Sequence, residues 1–180
     1  MGERSTDSRA ADTASETFCP LDPAAPRNVR IFLVVVDDSD ELSVALRYAS
    51  LRARNCQGRV ALLYVMEPND IQHWGAVEEL MRQEQRNEAE QRLQRCAKEV
   101  HAITGGTPVF YLREGDRQNA LLQLLDEEPS ISVLVLAASL SSKGPGPLIS
   151  YFTGRGLSRL HIPLTIVPGN LSREQVEAIT

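Results

Sequence analysis

The sequence has few cysteines and no long apolar run, and both shortages restrict the kind of protein it encodes. Its three cysteines, Cys19, Cys56 and Cys96, are odd in number and widely spaced, whereas disulfide frameworks and zinc sites use closely spaced pairs. We therefore expect free thiols in a reducing compartment and predict a cytoplasmic protein. The longest apolar run, Ile31–Val36, is far shorter than the ~20 residues of a membrane helix. The N-terminus also lacks the pattern of a signal peptide, so we predict no membrane partner.

The sequence also has no excess of basic residues over acidic ones. The chain has 19 Lys and Arg against 24 Asp and Glu, a formal net charge of 19 − 24 = −5, and both signs are interspersed. Nucleic-acid-binding proteins usually carry a basic stripe or face, so we predict no nucleic-acid partner. The histidines, His73, His101 and His161, are far apart and form no metal-ligand motif. We expect no metal beyond Mg²⁺ that accompanies a nucleotide.

The composition is that of one globular domain with an N-terminal arm. The chain has 180 residues, of which 42% are hydrophobic and 24% are charged, as in ordinary soluble domains. Residues 1–28 are rich in Ser, Thr, Asp, Ala and Pro and bury too little apolar surface to offset their ordering entropy. We predict a flexible arm over residues 1–28 and a folded domain over residues 29–180.

Apolar strand segments alternate with helical patterns from Val29 onward. The predicted strands cover residues 31–36, 59–65, 108–112, 131–137 and 164–167, and the predicted helices begin near residues 42, 77, 116, 147 and 171. Unbroken apolar strands are typical of a parallel sheet that is buried on both faces. With right-handed crossovers, this order predicts an α/β fold, a three-layer sandwich around a five-stranded parallel sheet.

Two of the predicted helices carry further local signals. Asp38 or Ser39 can cap the first helix, and Asp38 with Glu41 has the spacing of a capping box. The second helix has an almost wholly polar middle over residues 82–92, which we expect to be exposed. Its apolar stripe, which we expect to be buried, consists of Val77, Leu80, Met81, Leu93, Cys96, Ala97 and Val100.

Ligands of such sheets bind beyond the carboxyl ends of the strands. The turn after the first strand is therefore a candidate part of a binding site. The chain has neither a G-x-G-x-x-G turn there nor a G-x-x-x-x-G-K-[ST] loop elsewhere. The turn is acidic instead, with Asp37, Asp38, Asp40 and Glu41. These carboxylates repel phosphate, but an Asp can accept hydrogen bonds from a ribose hydroxyl or an adenine amino group.

The loop after the fourth strand has the opposite character, since it combines hydroxyls, an ammonium group and flexible backbone. Its candidate residues are Ser139, Ser141, Ser142, Lys143, Gly144 and Gly146. Together with a helix that starts at Pro147, these groups can hold phosphate through backbone and side-chain donors. The alternative is a solvated loop that binds no ligand, and the residues alone leave both interpretations open.

Several of these segments resemble the universal stress protein family. Asp37-Asp38-Ser39 precedes a helix that contains Ala45-Leu46-Arg47-Tyr48-Ala49, as in the first segment of that family. Gly115-Asp116, the strand around residues 133–136 and the stretch over residues 162–168 match its third helix start, fourth strand and fifth strand. The resemblance covers roughly residues 28–168, and it implies an adenine-nucleotide alpha-hydrolase-like (Rossmann-like) fold.

The resemblance also implies a homodimer and a nucleotide site. Members often pair their last strand, here between Leu164 and Val167, with that of a second copy. Nucleotide-binding members use an Asp after strand one, matching Asp37, and a valine that ends strand two, matching Val65. They also use a Gly-x-x-Gly, nine residues, then Gly-Ser/Thr pattern. This sequence departs from that pattern, with residues 137–139 and 150–151 lacking the expected glycines, and is closer to a branch with a Lys-Gly-Pro-Gly-Pro loop.

The resemblance therefore implies a stress-response, nucleotide-binding switch or adaptor that acts as a homodimer, with ATP or AMP as its ligand. No catalytic set stands at a usable spacing, so at most slow incidental ATP hydrolysis is expected. The alternatives are a nucleotide-independent dimeric adaptor and a receiver-like signalling domain. The complete predicted site is Asp37, Ser39, Val65, Ser139, Ser141, Ser142, Lys143, Gly144 and Gly146.

Overall fold

The computed structural model describes residues 29–67, 76–142 and 144–180, with the backbone alone for residues 76–78. The predicted arm, residues 1–28, and Lys143 lie outside the described residues. The elements in chain order are β1 (Ile31–Val36), α1 (Leu42–Cys56), β2 (Arg59–Met66), α2 (Ala76–Thr104), β3 (Val109–Glu114), α3 (Arg117–Glu127), β4 (Ile131–Ala138), α4 (Pro147–Phe152), a 3₁₀ turn (Leu157–Arg159), β5 (Leu164–Pro168) and α5 (Arg173–Ala178).

The strands form one five-stranded parallel sheet in the order β3-β2-β1-β4-β5. This confirms the predicted α/β sheet. It also separates the fold from receiver domains, which share the flavodoxin-like order 2-1-3-4-5. The receiver-like alternative is therefore wrong. The chain passes from β1 to β2 on one side and from β4 to β5 on the other, so the neighbours β1 and β4 form the switch point of the sheet.

Both faces of the sheet are covered by helices, which explains the unbroken apolar strands. On β1, Leu33 and Val35 pack with α3 and α4, whereas Val34 and Val36 pack with α1 and α2. All four side chains are at most 5% exposed. The sheet is thus the middle of three layers, as the sequence predicts. Phe152, fully buried, fixes α4 to the same layer as α3.

The predicted cap of α1 is wrong. The helix begins at Leu42, and the residue before it, Glu41, makes no side-chain capping bond. Asp38 forms an ion pair with Arg92 instead, and Ser39 hydrogen-bonds to Asp37. The turn after β1 therefore uses its polar side chains for its own shape and for α2 rather than for the helix start.

The long helix α2 has 29 residues, and its buried side chains, among those described, lie between Ala89 and Val100. Leu93, Cys96 and Val100 are at most 7% exposed, but Leu80 is 61% exposed, so its predicted burial is wrong. Burial raises the pKa of the Cys96 thiol, and the nearby Glu99 adds to this effect. Across the described parts of the chain, no helix is long and apolar enough to cross a membrane.

A C-terminal helix, α5, packs on the outward side of α1. Ser172 and Gln175 form a capping box at its start, and Val176 is 1% exposed. Arg47 of α1 forms an ion pair with Glu177, which fixes the direction of α5. The predicted terminal helix is confirmed, and it adds a small element outside the three layers.

Candidate functional site

The carboxyl ends of β1 and β4 enclose a crevice at the switch point of the sheet. Asp37, Ser39 and Leu42 line one side of it, residues 135–137 of β4 form its floor, and residues 145–149 form the other side. Ligands of open α/β sheets bind at this place. The fold therefore brings the predicted acidic turn and the predicted Ser/Gly loop to the same crevice.

Asp37 stabilises the acidic turn after β1, which forms one side of the crevice. Its Oδ1 accepts hydrogen bonds from the backbone N of Ser39, at 3.0 Å, and from the Ser39 hydroxyl, at 2.6 Å. Asp and Asn side chains commonly stabilise turns by bonding to the backbone two residues later. Arg92 also donates from Nη1 to the Asp37 carbonyl oxygen at 3.3 Å. The Asp37 carboxylate thus has a fixed position at the rim of the crevice.

The β4–α4 loop (residues 139–146) is closed on itself. The Ser139 amide donates to the Pro145 carbonyl at 3.3 Å, and the Gly144 amide donates to the Ser141 carbonyl at 3.1 Å. The Ser141 amide donates to the Ser139 hydroxyl at 3.3 Å. Pro145 and Pro147 have no N–H to offer. The backbone amides of Ser139, Ser141 and Gly144 are therefore already used by hydrogen bonds within the loop.

The two loop glycines are explained by this closed conformation. Gly144 and Gly146 have φ angles of 97° and 109°, which residues with a side chain rarely adopt. A Cβ at either position would meet no atom within 4 Å, so backbone conformation rather than close packing requires glycine. Gly146 also lines the crevice directly before the start of α4.

Glu41 lies against the first residue of the loop. The nearby Ser139 side chain is the largest cause that lowers the pKa of Glu41 below its ordinary 4.5. Gly169, directly after β5, packs so close that a Cβ there would overlap Glu41 Cγ and lie 2.7 Å from the Ala138 carbonyl oxygen. The Gly169 amide donates to that carbonyl at 2.9 Å. A carboxylate thus stands where β4 and β5 end.

Two arginines near the crevice are engaged with carboxylates of the protein. Arg92 pairs with Asp38 and, at 3.7 Å, with Glu88 of its own helix. Arg117, which lines the crevice from the start of α3, pairs with Glu67 at 3.4 Å. Both guanidinium groups are therefore already paired with carboxylates, and neither is a free positive charge for binding phosphate.

The crevice is small as it stands, at about 50 Å³. Sites for small ligands usually measure roughly 300–1,000 Å³. The volume is limited by the loop, whose Pro145 and Pro147 lie on the side facing Asp37 and Ser39.

Of the predicted residues that the structure describes, five do not line the crevice: Val65, Ser139, Ser141, Ser142 and Gly144. Val65 is 4% exposed and packs in the core between the sheet and α3. Ser141 and Ser142 are exposed at the tip of the loop, and Lys143 lies outside the described residues. Where side chains are described, no group of three His, Cys, Asp or Glu residues is close enough to hold a metal ion.

Comparison with known proteins agrees with this architecture. The sequence profile of the universal stress protein family matches residues 28–168. The chain belongs to the universal stress protein family. No curated protein sequence matches it.

Solved structures of the same family share the fold. The universal stress protein UspA from Lactobacillus plantarum is 18% identical with a TM-score of 0.63, and the match covers 77% of this chain and 97% of that one. A family member from Burkholderia pseudomallei is 20% identical with a TM-score of 0.59, covering 79% and 98%. A member from Arabidopsis thaliana with AMP bound is 15% identical with a TM-score of 0.55, covering 77% and 91%.

In this universal stress protein, two residues near the crevice, Arg92 and Arg117, were not among the predicted site residues. Arg117 was detectable, because it follows Gly115-Asp116 at the end of a strand and hence lies at the ligand edge of the sheet. Arg92 was not, because 55 residues separate it from Asp37 and only the packing of α2 brings it there. Glu41 was identified as part of the acidic turn, but its contact with Ser139 was not foreseen.

Proposed function

We propose that this universal stress protein is a cytoplasmic, homodimeric stress-response switch whose β1–β4 crevice binds an adenine nucleotide. Catalytic turnover is at most slow and incidental. The observation that carries the proposal is that Asp37 and Ser39 share one crevice with the start of α4 at the switch point. Its apolar walls suit a base, and the Asp37 carboxylate suits hydroxyl or amino donors. The AMP bound by the Arabidopsis relative supports the ligand class by analogy.

Movement of the β4–α4 loop is the switching step in this proposal. Three hydrogen bonds at 3.1–3.3 Å hold the loop closed, and such bonds contribute about 0.5–1.5 kcal/mol each. Opening the loop thus costs on the order of 2–4 kcal/mol. Micromolar binding supplies roughly 8 kcal/mol, so a nucleotide can offset this cost at reduced apparent affinity. The open loop then presents a different surface to a protein partner.

Calorimetric titration with AMP, ADP and ATP tests the nucleotide part. We expect binding that Asp37→Ala weakens by about 10- to 100-fold, as for loss of a hydrogen bond to a charged group. Asp126→Ala, an exposed carboxylate of α3, is the matched control and should leave affinity unchanged. In spectra of the native chain, the amide resonances of Ser139 and Gly144 should shift on binding. Equal effects of both substitutions would remove Asp37 from the site.

A nucleotide-independent dimeric adaptor is the second candidate. The closed loop and the crevice of about 50 Å³ favour it. Under this alternative none of the three nucleotides produces heat, and the loop amides keep their resonances in excess nucleotide. Small-molecule mass spectrometry of the purified protein would then release no nucleotide.

The homodimer is proposed through β5. Among the described residues this strand pairs with β4 alone, and an unpaired edge favours self-association. The Leu134 amide donates to the Pro163 carbonyl at 2.9 Å, so the backbone groups of Thr165, two residues on, also point toward β4. Those of Ile166 point away from β4, and its side chain is 39% exposed.

Because neighbouring residues of β5 point their backbone groups to opposite sides, two proline variants can be compared by sedimentation. Ile166→Pro removes an outward N–H and should convert the dimer to a folded monomer. Thr165→Pro removes a donor to β4 and should lower the melting temperature of the subunit itself. A native chain that sediments as a monomer, or an Ile166→Pro variant that remains dimeric, would show that β5 is not the interface.

A further inference from the structure

A groove lies at the amino end of the sheet, opposite to the β1–β4 crevice. This amino-end groove is lined by residues between 53 and 60, where α1 ends and β2 starts, and between 100 and 108, where α2 ends and the chain approaches β3. Because β2 has eight residues that rise about 3.3 Å each, the groove lies roughly 20 Å from the crevice. Its volume is about 560 Å³, within the range of roughly 300–1,000 Å³ that is usual for small-molecule sites.

Hydrogen bonds within the protein hold both walls of the amino-end groove. On the first wall, the Arg59 amide donates to the Arg30 carbonyl at 2.8 Å. On the second wall, the Thr104 hydroxyl donates to the Val100 carbonyl at 2.9 Å and accepts from the Gly106 amide at 3.0 Å. These bonds lie within the walls and do not cross the groove, which therefore has its volume in the structure as it stands.

The floor of the groove is apolar and its rim is basic. Ala53, Val60 and Val100 line it and are at most 2% exposed, so they form its inner part. Arg54 and Arg59 also line it, but both are exposed. Guanidinium groups bind carboxylates and phosphates through paired hydrogen bonds, whereas an apolar floor binds hydrocarbon. The groove thus offers two kinds of contact to one ligand.

Neither guanidinium group of the rim is neutralised by the described part of the chain. No Asp or Glu is among the described residues that line the groove, and neither Arg54 nor Arg59 forms an ion pair with a described residue. The partial negative charge at the end of α1, about half a unit, offsets only a fraction of the two full charges. Five arginines elsewhere do pair with carboxylates: Arg47, Arg86, Arg92, Arg113 and Arg117. The groove is therefore a local positive region in a chain whose net charge is −5, and it attracts anions.

We propose that the amino-end groove is a second binding site, which takes a small organic anion with an apolar body and one carboxylate or phosphate group. Arg54 and Arg59 hold the anionic group, and the floor around Val60 and Val100 covers the body. This site does not depend on nucleotide binding in the crevice. Affinity should rise up to about fourfold for each methylene group that the floor buries, and it should fall as salt screens the two arginines.

Titration of the full chain with octanoate and with octyl phosphate, followed by amide resonances, tests the proposal. We expect the resonances of Gly58 and Gly106, in the two walls of the groove, to shift. Those of Ser139 and Gly144, at the carboxyl end of the sheet, should stay unchanged. Acetate, which has no apolar body, should bind far more weakly than octanoate. The two octyl compounds share one hydrocarbon chain, so the tighter of them identifies carboxylate or phosphate as the preferred anionic group.

Substitution of the rim arginines tests their role. Arg54→Gln and Arg59→Gln should each weaken octanoate binding by about 3- to 10-fold, a modest loss for a charged hydrogen bond because both side chains are exposed. Arg95→Gln is the matched control, since Arg95 is an exposed arginine of α2 that does not line the groove. Its affinity for octanoate should equal that of the native chain. A thermal melt of each variant checks that it is folded.

Three outcomes would overturn the proposal. The first is that neither octyl compound shifts the resonances of Gly58 and Gly106 in the native chain, whether the groove stays empty or another part of the chain occupies it. The second is that Arg95→Gln weakens binding as much as Arg59→Gln, since the overall charge would then suffice. The third is that only resonances at the carboxyl end of the sheet shift, which would place the anion in the crevice. None of these results bears on nucleotide binding, which is measured separately.

Discussion

The C-terminal helix α5 lies beyond residues 28–168, which match the family profile. Its packing on α1 predicts how a substitution in α5 changes the free energy of unfolding. Arg47, Leu51 and Asn55 follow one another at four-residue spacing on one face of α1. Arg47 pairs with Glu177, and the Asn55 side chain donates to the Thr180 carbonyl at 3.0 Å. Leu51, between them, is 3% exposed. Helix α5 thus lies on a face of α1 whose polar ends bind it and whose one apolar residue, Leu51, is buried.

Val176→Ala is the perturbation, because Val176 is the buried residue of α5 and is only 1% exposed. Each buried methyl or methylene group contributes roughly 0.8 kcal/mol, and the cavity adds to the loss. Alanine is the better helix former by about 0.5 kcal/mol. We expect a net destabilisation of about 1–2 kcal/mol, or roughly 2–8 °C in melting temperature for a domain of this size.

Urea unfolding followed by circular dichroism measures this change, and Ile179→Ala provides the control. Ile179 follows α5 directly and is 56% exposed, so its truncation should alter the free energy of unfolding by less than about 0.5 kcal/mol. Unfolding of Val176→Ala at the same urea concentration as the native chain would contradict the reasoning. Such a result would mean that α5 separates from α1 before the domain unfolds.

Three further predictions concern the caps and the ligand edge of the sheet. Asp116 accepts a hydrogen bond from the Asn119 amide at 2.9 Å, so Asp116→Ala should lower the free energy of unfolding by about 1 kcal/mol, measured in urea. Ser139→Ala should return the pKa of Glu41 toward 4.5 in a carbon-13 titration of the carboxyl groups. Because that pKa is lowered in the folded state, the stabilisation it gives exists above pH 4.5 and is lost as the pH falls through the lowered value. Gly169→Ala should destabilise the fold by about 1–3 kcal/mol, since its Cβ would overlap Glu41; an unchanged melting temperature would show that the contact relaxes freely.

Much of the fold was predictable because strand burial and helix caps leave local patterns. The run Ile31–Val36 is buried on both faces, and an unbroken apolar segment has no other stable place in a soluble domain. Asp116 caps α3 as its position after Gly115 suggests. Leu80 was not predictable, because apolar spacing on a helix does not say where the helix leaves the body of the protein.

The location of the candidate site could be predicted from the sequence, but the conformation and contacts of its residues could not. The carboxyl ends of parallel strands meet at one edge, so Asp37 and Gly146 had to be near each other once β1 and β4 were neighbours. The sequence alone determined the strands, the acidic turn and the membership of the family that these segments resemble. Only the tertiary structure decided that the β4–α4 loop is closed, that Arg92 forms an ion pair with Asp38 and that Glu41 contacts Ser139. The last two of these contacts join residues far apart in the chain, and local patterns carry no information on which distant partner completes such a contact.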